Sequence, residues 1–441
     1  MSAVLDQLLG IFSETTRESG WVSLFVTVFP AFLLLEVTLN LLVVLGVFRW
    51  FIRQSTAVPQ QAKYHPRVSC VITCYSEGLD VQSTLRSLCE QVYEGEIEMI
   101  PVVDGAVVNK PTMQAVRSFQ LDRHLYPKRF LRPIAKWQRG GRVSSLNAGL
   151  AHCTGEIVMA LDGDTSFDND MVGNIVRHFA DPSVPAVAGS LRVRNWNRSL
   201  TTIMQTLEYL LSIHMSKIGL SEWNVVNNIS GAFGAFRRSF LVKIGGWDTH
   251  TAEDLDLTLR IKHYFARQNL RIPFEPRAIG HTDAPVSFWQ FLQQRLRWDG
   301  DLYFLYARKH RHSFSPRLLG WKNFLMTVLN AFVQIVLPFV IWLYLLYGLF
   351  FFPWVSFVTL AILIYLVYTA VTLLLFVVML LLVSERPRLD VKLLPAVLVF
   401  PLFMLVMRCW SAVAMLNEAL RRGHEESSMA PWWVLKKGKR F

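Results

Sequence analysis

Long apolar stretches at both ends of the chain restrict its fold more than any other feature. A helix needs about 20 mostly apolar residues to cross a bilayer. Four stretches reach that length, at residues 21–51, 324–354, 355–383 and 393–416. The chain of 441 residues is also 52% apolar, which is high for a soluble protein. The pattern predicts a membrane protein whose apolar helices enclose one polar domain.

The alternation of apolar and polar stretches divides the chain into six segments. The first apolar run is too long for a cleaved signal peptide, so we expect it to remain as an anchor. The predicted segments are an N-terminal segment (1–20), a transmembrane anchor (21–52), a central domain (60–285), an amphipathic interface helix (286–312), a C-terminal transmembrane region of about three hydrophobic segments (318–418) and a basic tail (419–441).

Basic residues around the first apolar run predict its orientation. Arg17 alone precedes the run, whereas Arg49, Arg53, Lys63 and Arg67 follow it. The positive-inside rule therefore places the central domain in the cytoplasm. The net charge of +12 suits a protein that lies against an anionic leaflet. We expect no nucleic-acid partner, because the chain lacks a basic helix or an interleaved aromatic stripe.

The central domain alternates strand and helix patterns. Predicted strands at 68–74, 96–103 and 156–161 are separated by predicted helices at 80–91 and 143–152. Such alternation is typical of a mostly parallel sheet with helices on both faces, where ligands bind at the carboxyl ends of the strands.

Carboxylates follow two of these predicted strands. Asp104 follows the second strand, and Asp162 and Asp164 follow the third. Two carboxylates two residues apart, separated by Gly163, can share a hard cation. An isolated Asp-Gly-Asp would more often be a solvated turn, but the apolar strand before it favours the metal site. We predict Mg²⁺ or Mn²⁺ at Asp162 and Asp164.

Two further groups of residues could carry chemistry. Glu253 and Asp254 open a helical pattern, where acids are also favoured simply by the helix dipole. Gln294, Arg297 and Trp298 lie on the predicted interface helix. An arginine fork suits phosphate groups, and a tryptophan offers a flat apolar face to a ligand. A tryptophan in this position is also a common membrane anchor.

Together, these motifs resemble the D-x-D, T-E-D and Q-x-x-R-W signature of processive family 2 glycosyltransferases. Those proteins are membrane synthases that polymerise a sugar on the cytoplasmic face and pass the chain outward. The resemblance implies an α/β GT-A-type glycosyltransferase domain over 60–285, inserted between transmembrane helices. It implies that Asp254 is the general base, with Glu253 beside it, and that Gln294 and Trp298 bind the acceptor. Ala252 departs from the signature, which has threonine there.

The resemblance also implies a donor site for a UDP-sugar. Tyr75 and Glu77 lie in a stretch that is similar to the family's P-[ST]-Y-N-E, and they are expected near the uridine. Arg142 replaces the usual lysine of a G-G-K motif, which keeps the charge but not the shape. The residues implied for nucleotide-sugar binding are Thr73, Tyr75, Glu77, Asp104, Arg142, Asp162, Asp164 and Arg297.

One segment bears on the polymer. Residues 230–239 resemble the S-G-x-x-x-A-F-R-R-S segment of poly-β-1,6-N-acetylglucosamine synthases, and the F-F-C-G sequence of cellulose synthases is absent. This favours an inverting, processive synthase that uses UDP-N-acetylglucosamine. A UDP-glucose-using β-glucan synthase, a non-processive transferase to a polyprenyl phosphate, and a transporter or inactive scaffold are the alternatives.

The resemblance implies a multi-pass protein of a bacterial-type inner membrane. Its expected partners are the UDP-sugar, the growing polysaccharide and the lipid bilayer, with room for accessory membrane or export subunits. Within the apolar stretches, Glu36 and Arg408 could form a buried pair, or Arg408 could extend alone to the interface. The basic tail is expected in the cytoplasm, but three C-terminal crossings would place it outside the cell. One apolar stretch is therefore expected to be interfacial or re-entrant.

Overall fold

The computed structural model describes the backbone of residues 20–56 and 64–426, with side chains at 35–56 and 64–424. The strands are β1 (Val68–Cys74), β2 (Ile97–Val103), β3 (Arg129–Leu131), β4 (Ile134–Ala135), β5 (Ile157–Asp162), β6 (Ser166–Phe167), β7 (Ala186–Val193), β8 (Phe233–Arg237) and β9 (Phe274–Thr282).

Helices surround this sheet and extend beyond it. In the central domain they are α2 (Asp80–Cys89), α3 (Lys110–Ser118), α4 (Gly141–His152), α5 (Met171–Val176), α6 (Leu200–Glu208), α7 (Ser216–Glu222), α8 (Arg238–Lys243), α9 (Glu253–Lys262) and α10 (Phe288–Tyr303). The flanking helices are α1 (Gly20–Thr56), α11 (Pro316–Ala331), α12 (Leu337–Phe351), α13 (Trp354–Val378) and α14 (Leu394–Arg421).

Shorter turns link several of these helices. Wider, π-helical turns follow α6, α10, α11 and α13, at Tyr209–Met215, Phe304–Lys309, Phe332–Val336 and Met379–Val383. The helical turns Arg177–Ala180, Pro387–Asp390, Val391–Leu393 and Gly423–Glu426 complete the described chain.

The strands form one mixed sheet in the order β3-β2-β1-β5-β8-β7-β9-β6, with β4 beside β2. Strand β1 pairs in parallel with both β2 and β5. Strand β8 runs antiparallel to β5 and to β7. The predicted parallel pairing is thus present around β1 and again between β7 and β9, and β8 joins these two parts through antiparallel pairs.

The centre of the sheet brings chemically active residues to one edge. All residues of β1 are buried, as expected for a strand covered on both faces. Thr73 at its carboxyl end is the register partner of Asp162 in β5. Gly78 has φ +57° in the turn after β1, a left-handed conformation that suits glycine. The loops after β1 and β5 therefore meet at the same place.

Four helical segments are long and apolar enough to cross a membrane. They are Leu35–Thr56, Pro316–Phe351, Trp354–Val383 and Pro387–Arg421. Large apolar side chains on them, such as Leu41, Leu366 and Leu398, are exposed. These helices flank the central domain on the N-terminal and C-terminal sides.

An ion pair joins the first and last of these segments. Arg408 on α14 contacts Glu36 on α1 at 2.5 Å, and the Tyr368 hydroxyl donates to Glu36 at 2.6 Å. Arg408 also donates to the carbonyl of Val333 at 3.1 Å. The Glu36–Arg408 pair is therefore the alternative that forms, although it is only partly buried, and Arg408 does not extend alone to the interface.

Two glycines allow α1 to pack tightly on α7 of the central domain. A Cβ on Gly219 would lie 2.4 Å from the Val43 carbonyl oxygen, and one on Gly46 would lie 2.3 Å from the Gly219 oxygen. The Trp223 indole N–H donates to the Leu42 carbonyl at 2.9 Å beside this contact. The anchor helix is thus held directly against the domain.

We expect Gly219→Ala to loosen this contact. Its added methyl would meet backbone atoms that cannot rotate away, an overpacking cost of about 1–3 kcal/mol. The midpoint of thermal unfolding of the detergent-purified protein should fall. Gly173→Ala is the control, because its Cβ would lie 3.7 Å from the nearest described atom. Equal unfolding temperatures for the two variants would contradict the close packing.

Candidate active site

Arg142, in the first turn of α4, lies at the centre of the site. Its guanidinium pairs with Asp162, lies 2.6 Å from the Glu253 carboxylate and donates to the Gly231 carbonyl. Burial alone would lower the pKa of Arg142, but the charges of Asp162 and Glu253 outweigh it and raise that pKa. Four segments distant in sequence thus meet around one cation.

Asp162, Asp164 and Glu77 form an acidic group beside Arg142. A Cβ on Gly163 would lie 3.0 Å from the Thr73 oxygen and 3.3 Å from the Glu77 carboxyl carbon, so glycine permits this close approach. Burial, with a smaller contribution from the charges of Asp164 and Asp162, raises the pKa of Glu77 to about 7. The structure places Glu77 next to the aspartate pair, a neighbour that the sequence motif did not predict.

The aspartate pair of this group offers oxygen ligands to a cation. Crowded carboxylates repel one another, and a divalent ion with oxygen ligands relieves that repulsion. Within residues 35–56 and 64–424, no group of three or more His, Cys, Asp or Glu side chains has metal-binding geometry. Asp162 and Asp164 would therefore share a cation with oxygen atoms of a bound ligand.

Asp104 positions Arg142 through the turn before α4. Its carboxylate accepts hydrogen bonds from Lys136 at 2.6 Å, from the Gly140 N–H at 2.9 Å and from the Gly141 N–H at 2.8 Å. Gly141 has φ +80°, which favours glycine at this turn. Asp104 was expected to contact the nucleotide, and among the described residues its bonds are to this turn.

Thr73 and Tyr75 lie on the other side of Arg142. The Thr73 hydroxyl accepts from Arg142 at 3.0 Å and donates to Asp162 at 3.3 Å. Tyr75 is exposed, and the Arg139 guanidinium lies 4.0 Å from the centre of its ring. An exposed ring beside a cation is a suitable surface for a planar base.

Asp254 is oriented by donors from the segment before β8. Its Oδ2 accepts from Asn228 and from the Gly231 N–H, each at 3.2 Å, and its Oδ1 accepts from the Leu255 N–H at 2.7 Å. Ala252, the departure from the signature, has φ +48° immediately before α9. Burial raises the pKa of the neighbouring Glu253, and the Arg142 charge opposes this.

The three Q-x-x-R-W residues lie on α10 in different environments. Gln294 accepts a hydrogen bond from Gln205 at 3.1 Å. Trp298 packs against the domain core, and the Arg295 guanidinium lies 4.8 Å from its ring centre. In the described part of the chain, no other side chain pairs with Arg297 at contact distance. Arg297 is therefore available to a ligand, whereas Gln294 already has a protein partner.

The sequence did not predict the contacts that join the start of α9 to α10 and to the residues after α10. The Thr251 hydroxyl bonds to the buried Asp301, and burial raises the pKa of Asp301 to about 7. Asp256 is fully buried and contacts Arg260, Lys309 and His310, each at 2.8 Å. Lys309 and His310 are about 50 residues from Asp256 in sequence, so the sequence pattern did not predict these contacts. The only signal was Asp256 itself, a third acid in the first turn of α9.

A mixed α/β sheet with an aspartate pair, a buried cation and a second acidic pair at one edge is the arrangement expected of a GT-A-type glycosyltransferase. Residues 65–300 match the profile described as Glycosyltransferase like family 2, and the chain belongs to that family. The predicted fold class and enzyme class are therefore confirmed.

Curated relatives share this domain. The chain is 30% identical over 260 residues to a poly-beta-1,6-N-acetyl-D-glucosamine synthase of Staphylococcus epidermidis, covering 57% of this chain and 60% of that protein. It is 29% identical over 233 residues to a protein of the same name from Staphylococcus aureus strain N315, covering 52% and 53%. The chain thus spans little more than half the length of these relatives.

A solved structure has a similar fold. It is the mannosyltransferase PcManGT from Pyrobaculum calidifontis in complex with GDP-Man and Mn²⁺, with a TM-score of 0.55. The likeness covers 88% of this chain and 98% of that chain at 19% sequence identity. At this identity it shows the fold alone.

Proposed function

We propose that the protein is an inverting, processive polysaccharide synthase that transfers N-acetylglucosamine from UDP-N-acetylglucosamine to a growing β-linked polymer and passes the chain across the membrane. The convergence of Arg142, Asp162, Glu253 and Asp254 supports glycosyl transfer from a nucleotide sugar. The names of the staphylococcal relatives support the sugar and the polymer.

The contact made by Gly231 carries the proposal. Gly231 donates its N–H to Asp254 and offers its carbonyl to Arg142, and a Cβ on it would lie 3.2 Å from the Glu253 carboxylate. It is also the glycine of the segment that resembles poly-β-1,6-N-acetylglucosamine synthases. The polymer-related motif therefore lies between the expected phosphate-binding cation and the expected base.

The donor diphosphate would bind where Arg142 now pairs with acids. Arg142 is ionised at all accessible pH values and can turn its fork from Asp162 to phosphate oxygens. Arg297 supplies a second cation from α10. Asp162 and Asp164 would hold Mg²⁺ or Mn²⁺, which when bound supplies positive charge to the leaving diphosphate. Tyr75 stacks on the uracil ring.

Asp254 acts as the general base. Two N–H donors fix its Oδ2, so its carboxylate is held in one orientation and can accept the proton of the attacking hydroxyl. Attack from the side opposite the diphosphate inverts the anomeric centre. Glu253 stays paired with Arg142 and keeps the start of α9 near the donor.

The acceptor end of the polymer would bind beside α10. Trp298 presents its ring at this helix, and α10 contacts membrane helix α14, where the Trp410 indole N–H donates to the Leu292 carbonyl at 2.8 Å. The growing chain would therefore leave the site at the junction of domain and membrane. A flat ring can stack on a sugar without fixing the position of the polymer along its axis. The polymer must be able to move by one sugar after each addition.

We place the catalytic domain on the cytoplasmic side of a bacterial inner membrane, with the apolar helices crossing it more than once. Arg49 and Arg53 lie at the domain end of α1, where both pair with Glu222 of α7. This position agrees with the positive-inside rule.

The first test of this function concerns the metal. EDTA should abolish synthesis by purified membranes, and added Mg²⁺ or Mn²⁺ should restore it. Asp164→Asn should abolish turnover. Mn²⁺ should increase the UDP affinity of the native enzyme but not that of Asp164→Asn. The unfolding temperature of the variant should not change. Asp170→Asn, at an exposed acid nearby, is the charge control and should behave as native. Full activity in chelator would exclude the metal site.

The base can be tested with two neighbouring acids. Asp254→Asn should reduce transfer by about 10²-fold or more while UDP binding, measured calorimetrically, persists. Asp256→Asn removes the negative charge that contacts Arg260, Lys309 and His310, and it should instead lower stability by about 3–5 kcal/mol. If Asp256→Asn stayed fully folded and were the more damaging change for transfer, Asp254 would not be the base.

Processivity depends on Trp298 in this proposal. Trp298→Ala should shift radiolabelled product from long polymer to short oligosaccharides or free sugar, because the acceptor end is released between additions. UDP binding should stay near the native value. Arg297→Ala should weaken both UDP binding and transfer, since it removes charge from the diphosphate site. Normal long polymer from Trp298→Ala would show that Trp298 serves only packing.

A further inference from the structure

We infer that α14 does not cross the bilayer but lies in the surface of the leaflet on the catalytic side, with its leucine face turned to lipid. The helix has 28 residues and is long enough to cross. The inference rests on the proposed membrane placement of the catalytic domain, and it concerns the last apolar segment alone.

The beginning of α14 is held on the central domain. Arg192, at the carboxyl end of β7, donates to Glu385 at 2.9 and 2.6 Å and to Asp390 twice at 3.0 Å. Arg192 is 6% exposed, so these acids compensate a buried charge. Arg386 in the same connection pairs with Asp168 at 3.3 Å. The chain before α14 is therefore on the catalytic side.

The end of α14 returns to the same domain. Arg308, just after α10, donates to the Glu418 carboxylate at 3.0 Å and to the Glu418 carbonyl at 3.1 Å. His424 contacts Glu418 at 2.6 Å. The next residue after Arg308, Lys309, contacts Asp256 of α9 at 2.8 Å. The last turn of α14 is thus also tied to the catalytic domain.

The middle of α14 runs alongside α10. Phe403 and Phe291 have ring centres 5.5 Å apart, and the Ser411 hydroxyl donates to Asp299 at 2.6 Å. These contacts follow the same order along both helices. At 1.5 Å per residue α14 is about 42 Å long, and a helix crossing a hydrocarbon core of about 30 Å would separate its ends on opposite faces. Both ends here contact one domain.

The free face of α14 is chemically suited to lipid. One stripe of exposed side chains along α14 is apolar, and it includes Leu398, Leu402, Val406 and Leu420. Leu363 and Leu366 of α13 are exposed as well, so the apolar surface continues from a helix that we place in the membrane. A helix packed on protein on one side and apolar on the other fits the boundary of a leaflet.

This arrangement changes the number of crossings. The α11–α12 segment and α13 then cross once each after the catalytic domain, and α14 returns without crossing. The basic tail that follows therefore emerges on the catalytic side, where anionic lipid favours it. The conflict between three C-terminal apolar segments and a cytoplasmic basic tail is removed.

Cysteine labelling in intact and permeabilised cells tests this topology. In a Cys409→Ser background the remaining cysteines are buried, which leaves one introduced thiol for a membrane-impermeant maleimide. Glu90→Cys marks the catalytic domain, Pro353→Cys marks the turn between α12 and α13, and Ser428→Cys marks the tail. We expect Ser428→Cys to label only after permeabilisation, like Glu90→Cys, and Pro353→Cys to label in intact cells.

The labelling results distinguish a failure of this inference from a failure of the proposed topology of the catalytic domain. Labelling of Ser428→Cys in intact cells together with Pro353→Cys would overturn the inference and leave the proposed catalytic topology standing. Labelling of Glu90→Cys and Pro353→Cys from the same side would overturn that topology and the inference with it.

Depth measurement provides a second, independent test. The purified protein is reconstituted in liposomes with a nitroxide at Leu394→Cys, Val406→Cys or Leu420→Cys. The ratio of oxygen to nickel-chelate accessibility at each nitroxide reports its depth in the bilayer. We expect all three positions to have a similar depth, near the leaflet boundary. A crossing helix would place Val406→Cys about 15 Å deeper than the other two positions, because the core is about 30 Å thick. That profile would overturn the inference.

Discussion

The charge balance around Arg142 is the interaction on which the active site depends. One guanidinium contacts the Asp162 turn, the start of α9 at Glu253 and the carbonyl of Gly231. Removing one member of such a group leaves an uncompensated charge in a poorly hydrated place, which costs several kcal/mol. The three segments therefore hold one another in register, and an arginine fork can contact all three at once where the family has lysine.

The same principle connects the domain to the membrane helices. Arg192, Arg308 and Arg408 each pair with acids from distant parts of the chain. Arg192 is buried, and Arg308 and Arg408 are partly buried, so the charge of each needs a partner. Each pair therefore helps to position one apolar segment. Helix α10 lies within this framework, which brings the expected exit of the product next to the expected site of transfer.

The catalytic motifs and the polymer-related motif are physically connected through Gly231. Its backbone touches both the expected base and the expected phosphate-binding cation, and a side chain there would press on Glu253. This placement gives a structural reason for considering the segment at 230–239 together with the aspartate motifs. Family membership follows from the match over 65–300, whereas the proposed sugar rests on this segment and on relatives of which little more than half is covered.

The sequence by itself determined the local features. Apolar runs predicted the membrane helices, the buried pattern of 68–74 predicted β1, and the position of Asp162 after an apolar strand predicted its place at the sheet edge. These succeed because hydrophobic periodicity and strand ends are local properties. Only the tertiary structure decided that Asp104 holds the turn before Arg142, that Glu77 lies beside the aspartate pair, that Glu36 pairs with Arg408, and that both ends of α14 return to one domain. Those contacts join residues tens to hundreds of positions apart in sequence. They form because charged groups that become buried on folding must be paired, and a local sequence pattern does not show which distant residue will be the partner.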